Sequence, residues 1–434
     1  MPSKDSRSRS ITVETLARVE GEASLRIEIR DGEVADLQLS IFEPPRFFEA
    51  FLRGRRADEA PDITARICGI CPVAYQMSAV HALERAFEVE IDPAIRLLRR
   101  LLYCGEWIES HALHVHMLAA PDFLGCDSIV TLAERDRPAV ERGLRLKRVG
   151  NAILELLGGR SVHPVGVCIG GFSRLPMRRD LATLRENLLV ARDDARACLR
   201  WVAGFDLPVV EAETEFVALR HEQEYPFNEG DLVSSRGLRA KQVSFADHFE
   251  EYQAPHSNAL FARRRGAGAY FVGPLARVNL NFDRLGEDVA AAARDTVIAW
   301  PSTNPFASIV ARAIEIVYAV DEAIRCIDQY EPPAAPAAVW RPRRASGCAV
   351  TEAPRGILYH RYESDADGLL TAATIVPPTS QNQAQMEADL RRLAPRLIEL
   401  SQTEATHLCE TAIRNYDPCI SCATHFLRLQ IVRH

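Results

Sequence analysis

The chain has 434 residues, 47% of them hydrophobic and 26% charged, with a net charge of −7. These values suit a globular protein with a large core, and the acidic balance argues against nucleic acid or an anionic membrane surface as partner. No run approaches the roughly 18 apolar residues that a bilayer span requires, and the polar stretch Met1 to Ser10 has no apolar stretch behind it, so neither a membrane segment nor a secretory leader is expected. Eleven cysteines, an odd number, predict reduced thiols engaged in metal or redox chemistry in the cytoplasm, not a disulfide framework. Export of a folded complex on a partner's signal stays open.

Residues 11–42 read as β structure. Leu25, Ile27 and Ile29 alternate with Arg26, Glu28 and Arg30, Asp31-Gly32 supplies a turn, and Val34, Leu37 and Leu39 lead back. Just before this hairpin lies Ala17-Arg18-Val19-Glu20-Gly21, where Glu20 taken alone reads as a residue on a solvated face. Glu43-Pro44-Pro45-Arg46 ends the strand, and Phe47 to Leu52 begins a short helix. Val73, Met77, Val80, Leu83 and Phe87 recur at helical spacing. Long helices are expected from about Pro93 to Leu118, over 138–157, 179–204, 286–300 and 305–330, with loop-rich sequence between. His111, His114 and His116 sit in so apolar a helix that they read as core residues before ligands.

The glycine-rich stretch Gly158 to Gly171 fits neither a dinucleotide fingerprint nor a P-loop. Pro332 to Pro342 reads as a surface connector. Ile357 to Tyr362 and Thr371 to Val376 read as paired strands, and 384–415 as helix.

Two C-x-x-C pairs stand at opposite ends: Arg66-Ile67-Cys68-Gly69-Ile70-Cys71, and Asp417-Pro418-Cys419-Ile420-Ser421-Cys422-Ala423-Thr424-His425. This spacing lets two thiolates reach one metal. Roughly 350 residues separate the pairs, against about 15–20 between the knuckles of a zinc ribbon. If all four sulfurs serve one centre, both ends of the fold meet there. Cys68 and Cys71 fall just before a helix, where the free N–H groups favour thiolate.

These pairs, with Arg18-Val19-Glu20-Gly21, Gly158-Gly159-Arg160, His163-Pro164 and Glu352-Ala353-Pro354-Arg355-Gly356 in the same order, resemble the large subunit of nickel–iron hydrogenases from end to end. Glu43 to Glu49 and Ile70 to Tyr75 look most like the cytoplasmic, bidirectional, NAD(P)-linked group, including the sulfhydrogenase type. The resemblance implies a mainly helical α+β fold: an N-terminal β hairpin and a small C-terminal β region around a bundle of long helices, both termini meeting at a buried metal site. One interwoven domain over residues 1–434 is expected.

The resemblance also implies roles. Cys68, Cys71, Cys419 and Cys422 would hold nickel, with Cys71 and Cys422 bridging to an iron that carries cyanide and carbon monoxide; soft thiolates suit both metals. Arg355 after Pro354, with Pro377-Pro378-Thr379 opposite, would surround the iron's ligands, and Asp417 would accompany Arg355. The reaction implied is reversible heterolytic cleavage of dihydrogen, with Cys419 taking the proton and Glu20 relaying it. Glu49, His425 and a backbone carbonyl near Thr374 resemble a magnesium site. Two positions depart from the family: Tyr75 stands where a histidine is common, and Ser110 where some members have aspartate.

Cys104, Cys126, Cys168, Cys198, Cys326, Cys348 and Cys409 are scattered without iron–sulfur spacing. An iron–sulfur small subunit is therefore expected, with flavin and NAD(P) diaphorase subunits beyond it, and a maturation protease and metal-insertion proteins acting on the precursor. Residues 426–434 would be the removable extension. The competing readings are a hydrogen-sensing subunit with the same centre, a four-cysteine zinc scaffold, and a quinone-reducing relative that has lost nickel; the four retained cysteines argue against the last.

Overall fold

In the computed structural model, residues 9–31, 33–210 and 213–424 are described. Strands β1 (Arg9–Val13), β2 (Ala23–Arg30) and β3 (Glu33–Ile41) form an antiparallel sheet in the order β1-β2-β3. The predicted alternation holds: Leu25, Ile27 and Ile29 are buried while Arg26 and Arg30 face out. A short helix, α1 (Phe48–Leu52), follows, and α2 (Pro72–Phe87) starts at the first cysteine pair.

Four long helices make the centre: α3 (Pro93–Leu113), α4 (Arg137–Gly158), α5 (Arg178–Ala203) and, after the short α6 (Pro274–Asn281), α7 (Ser308–Gln329). They pack in a ring, α3 on α4, α4 on α5, α5 on α7 and α7 on α3. Asp92 accepts from the Ala94 N–H at 2.7 Å and Pro93 takes the first position of α3, a sequence-readable start. The tight approach of α3 to α4 depends on glycine, since a Cβ on Gly150 would lie 2.6 Å from the Gly105 carbonyl and 2.7 Å from the Glu109 nitrogen. The end of α3 continues as a π-helical turn, His114–Ala119.

The last third adds β4 (Ala345–Ala353), β5 (Gly356–Ser364) and β6 (Leu370–Val376) as an antiparallel sheet in that order, then α8 (Pro378–Glu399) and α9 (Gln402–Arg414). Helix α2 lies against β4 and β5. The main core cluster takes in residues from Ile11 to Ala423, so both ends of the described chain share it. A second cluster joins Val217, Leu219, Phe245 and Phe249 to Val350, Ile357 and Tyr359.

Several expectations change. The helix expected over 286–300 spans only Glu287–Arg294, because Thr296 turns back through its N–H and hydroxyl onto the Ala293 carbonyl. The helix expected over 384–415 begins six residues earlier and is two helices. They part at Leu400-Ser401, where Ser401 and Glu404 form a capping box. Strand β4 and the short strands Val217–Arg220, Asp231–Ser234, Phe249–Gln253 and Leu260–Arg264 occupy sequence that reads as loop. No helix among the described residues is long and apolar enough to cross a membrane.

Candidate metal centre

The first pair follows a 3-10 turn, Ala65–Ile67, with Cys68 extended and Cys71 at the N-cap of α2, where Pro72 takes the first helical position. The N–H groups of Ile70 and Cys71 donate to Cys68 Sγ at 3.3 and 3.2 Å. Burial pushes the Cys68 thiol up, but the contact with Cys71 and the Arg355 charge bring it below its ordinary value. The same contact with Cys68, with burial added, drives Cys71 well up. The next two helical donors, Val73 and Ala74 N–H, are taken by the Glu106 carboxylate from α3 at 2.6 and 3.0 Å. Glu106 is the cap that Cys71 does not supply, leaving the Cys71 sulfur for the centre.

The second pair follows α9 and is fixed by the other end of the chain. Glu20 and Cys419 form a parallel bridge, with Ile420 N–H donating to the Glu20 carbonyl at 2.9 Å. Ser421 N–H donates to Glu20 Oε2 at 3.0 Å, and the Ser421 hydroxyl to Glu43 Oε2 at 3.1 Å. Arg46 Nη2 spans the two pairs, donating to the Ile67 carbonyl at 2.6 Å and to the Ser421 carbonyl. Behind them, buried Asp122 binds Arg414 of α9 at 2.7 and 2.9 Å and also Arg18, while Arg414 Nη1 donates to the Ala17 carbonyl at 2.9 Å.

The result is four sulfur atoms, of Cys68, Cys71, Cys419 and Cys422, within 4.8 Å of one another, on residues no more than 3% exposed. Cys68 and Cys419 sulfurs are 3.6 Å apart. A tetrahedral centre with metal–sulfur bonds of about 2.3 Å needs about 3.8 Å. Cys419 and Cys422 form a disulfide, with Cα atoms 5.4 Å apart, where composition predicts thiols. Two sulfurs three residues apart and turned to one point are within bonding reach of each other, and the same convergence serves a shared metal. The other nine cysteines are free thiols.

Arg355, at the turn between β4 and β5, closes the pocket. It is 2% exposed. Its Nε donates to the Asp417 carbonyl at 2.7 Å and Nη2 to Asp417 Oδ1 at 3.1 Å, but enclosed Nη1 has no protein partner. Burial disfavours its charge, yet Asp417 and the sulfurs of Cys71 and Cys68 more than compensate and hold it protonated. Asp417 adopts φ +54, a left-handed turn that brings its carbonyl and carboxylate to the same arginine. Pro377 precedes α8, and Thr379 Oγ1 in its first turn accepts the Cys419 N–H at 3.0 Å. The neighbouring Ser380 hydroxyl is fully buried without a partner.

An enclosed set of soft donors with unpaired N–H and O–H groups at its edge fits a thiolate-bound metal carrying small acceptor ligands. Tyr75, one helical turn beyond Cys71, has a buried hydroxyl without a partner, as does Ser110. Burial, then the charges of Cys71 and Cys68, push the Tyr75 phenol well up, so it stays a neutral donor.

Of the expected magnesium ligands, Glu49 Oε1 accepts the Ile375 N–H at 2.8 Å, beside Thr374 on β6; His425 lies outside the described residues. The three helical histidines are structural. His111 Nε2 meets Glu315 at 2.9 Å, His114 Nε2 meets the Arg414 carbonyl at 2.7 Å, and His116 stacks on Trp201. Sequence reasoning missed Glu106 and the role of Arg46. A lone carboxylate in the apolar run Tyr103-Cys104-Gly105-Glu106-Trp107-Ile108 was the available signal for the first.

The family model described as nickel-dependent hydrogenase matches residues 46–141 and 264–425. The alpha subunit of sulfhydrogenase 1 from Pyrococcus furiosus is 33% identical over 426 residues, covering 96% of this chain and 98% of that one. The alpha subunit of sulfhydrogenase 2 from the same organism is 31% identical over 422 residues, covering 96% and 100%. A solved structure of an NAD+-reducing NiFe hydrogenase in the H2-reduced state is similar with a TM-score of 0.88 at 28% identity, covering 96% of this chain and all of that one.

Gly21 has φ +88, and a Cβ there would lie 2.6 Å from both Glu43 Oε1 and Ile420 Cβ. Gly21→Ala should therefore part Glu20 from the second cysteine pair and reduce bound metal per subunit by about tenfold or more. Elemental analysis of the purified variant at wild-type metal content would contradict this.

Proposed function

Because the chain belongs to the nickel-dependent hydrogenase family and is the catalytic large subunit of such an enzyme, we propose that Cys68, Cys71, Cys419 and Cys422 hold its nickel–iron centre and that the groups around them move the proton and seat the iron's ligands. The observation that carries this reading is the convergence of four enclosed sulfurs beside an arginine whose Nη1 has no protein partner. Cys71 and Cys422 would be the sulfurs shared with iron, and Cys68 and Cys419 would hold nickel. When bound, the metals supply the Lewis-acid and redox chemistry that splits dihydrogen into two protons and two electrons. As a metal-bound thiolate, with the Cys419–Cys422 bond open, Cys419 Sγ would accept the first proton. Glu20, paired with Cys419 through the backbone and with Ser421 through its carboxylate, carries it outward. Arg355, with Pro354 beside it and Pro377 opposite, would offer Nη1 to an iron-bound cyanide; Asp417 holds Arg355, and Thr379 seats the Cys419 turn.

Electrons leave through a partner. Among the described residues the only other grouping of metal-ligating side chains is His221, Glu224 and Glu229, and its carboxylates already pair with Arg96. An iron–sulfur subunit would meet the exposed apolar side chains of two segments, Phe47 with Phe51 and Val162 with Val165. Arg46 ties the first segment to Ile67, and His163 ties the second to the Ala65 carbonyl at 2.7 Å, so both flank the first cysteine pair. Exposed apolar side chains on both flanks of a metal-binding pair are what a partner surface would cover. The likeness to an NAD+-reducing enzyme supports NAD(P) as the destination of the electrons; flavin and NAD(P) diaphorase subunits beyond the iron–sulfur subunit, in a cytoplasmic complex, belong to the same proposal.

One interwoven domain over 1–434, a magnesium ion held by Glu49, the Thr374 carbonyl and His425, and metal-insertion proteins with a maturation protease that removes 426–434 complete the proposal. A mobile last motif during metal loading, fixed afterwards, gives that removal its mechanical reason. Intact-mass analysis of the active subunit should give a chain ending at His425; full activity with Phe426 to His434 retained would contradict it.

Glu20→Gln keeps shape and hydrogen bonding but cannot pass a proton. Turnover and H/D exchange with solvent should fall about 100- to 10,000-fold at unchanged nickel and iron content. Normal hydrogen evolution by the loaded variant would reduce Glu20 to a structural residue.

A further inference from the structure

Arg277, in the first turn of α6, is fully enclosed, and each of its five N–H donors is satisfied. Its Nε and Nη2 donate to the two oxygens of Glu315 at 2.7 and 2.8 Å, and Nη1 donates to Glu352 Oε2 at 2.9 Å. The two remaining donors reach the carbonyls of Ala353 at 2.8 Å and Pro354 at 2.9 Å, the residues just before Arg355. The guanidinium also lies over the Trp107 ring at 4.2 Å.

Its carboxylate partners are anchored in turn. Glu315 receives the Tyr225 hydroxyl at 2.7 Å and meets His111, and Glu352 Oε1 accepts the Leu219 N–H at 2.7 Å. Burial raises Glu315, but Arg277 outweighs it and holds the group at about 2, whereas burial pushes Glu352 up to about 7 despite the same arginine, so Arg277 and Glu315 are the firmly ionised pair. The turn rests on the same helix: Gly273, which precedes Pro274, has φ +119, and a Cβ there would lie 2.8 Å from the Arg355 carbonyl.

We propose that Arg277 is a positioning residue for the metal centre: by holding the Ala353 and Pro354 carbonyls it sets the direction from which Arg355 meets the iron's ligands. The inference rests on the reading of Arg355 given above. A guanidinium is needed because its planar fork spans two carboxylates and two carbonyls, whereas an ammonium offers three donors from one point. The alternative is that Arg277 only neutralises two buried carboxylates, in which case its replacement costs stability and nothing else.

The test compares four variants of the native complex by melting temperature, nickel and iron content, and infrared bands of iron-bound cyanide and carbon monoxide. Arg277→Lys and Glu352→Gln perturb the bridge, and Arg355→Lys is the reference. Arg99→Lys is the control: it breaks a buried bidentate pair with Glu84 at 2.8 and 2.6 Å, about 20 Å along α2 from Cys71. The bridge variants should shift the cyanide bands in the same direction as Arg355→Lys and by less, while Arg99→Lys lowers the melting temperature without a shift. Wild-type bands in both bridge variants, with Arg355→Lys shifted, overturn the inference. Wild-type bands in Arg355→Lys as well mean that the reading of Arg355 itself has failed. Should Arg277→Lys lose its metal, Glu352→Gln decides; loss of metal from both, with Arg99→Lys loaded, overturns a positioning role in the assembled centre.

Discussion

The structure depends on the pairing of the two chain ends at Glu20 and Cys419. Cys68 and Cys419 are 351 residues apart, and joining points so distant costs on the order of 5 kcal/mol in chain entropy. The bonds that cross the junction here are few: Ile420 to the Glu20 carbonyl, Ser421 to the Glu20 and Glu43 carboxylates, and Arg46 to Ser421 and Thr424. At about 1 kcal/mol each they roughly offset that entropy and leave little to spare. The Arg18–Asp122–Arg414 cluster and the shared core add the rest. A shared metal would tighten the same junction directly, because its ligands come from both sides of it.

That junction explains the electrostatics around it. Four sulfurs, Arg355, Asp417 and Glu106 are almost fully removed from water. Charges so placed are tolerated only when each has partners. Arg355 has Asp417 and Cys68 has two backbone donors, while burial pushes the Glu106 carboxyl well up despite its two helix N–H groups. Arg355 Nη1 and the hydroxyls of Ser380, Tyr75 and Ser110 are among the enclosed polar groups without a protein partner. Support extends outward from there: α6 carries Arg277 against the turn of Arg355, and α7 carries Glu315 against Arg277. Rigid elements thus reach the centre through the backbone carbonyls of Ala353 and Pro354.

Much of this was legible in the sequence because its signals are periodic or local. The helices α2 to α5 and α7 follow apolar spacing, and the cysteine pairs announce soft-metal chemistry by themselves. Strand β4 was not legible. Ala345-Ser346-Gly347-Cys348-Ala349 lacks branched residues, and β4 is covered by α2 as well as by the Val217 to Phe249 cluster, so it has no polar alternation. The start of α8 was hidden for the opposite reason. Thr379-Ser380-Gln381-Asn382-Gln383 reads as a polar turn, yet the whole stretch is buried. There Gln381, Asn382 and Gln383 donate to the carbonyls of Ile357, Val272 and Leu260 at 2.6, 3.0 and 3.0 Å. Tertiary partners turned those residues into core, and local propensity holds no record of such partners. Arg277 and Glu106 were missed likewise, since each acts across elements far apart in the chain.

The central claim is that the four converging cysteines hold nickel together with a ligand-bearing iron. Metal analysis of the native complex, joined to its infrared spectrum, tests it most directly. The account predicts one nickel and at least one iron at the four-cysteine site, with absorption bands of iron-bound cyanide and carbon monoxide. Zinc at that site without nickel, and a spectrum free of those bands, would contradict it.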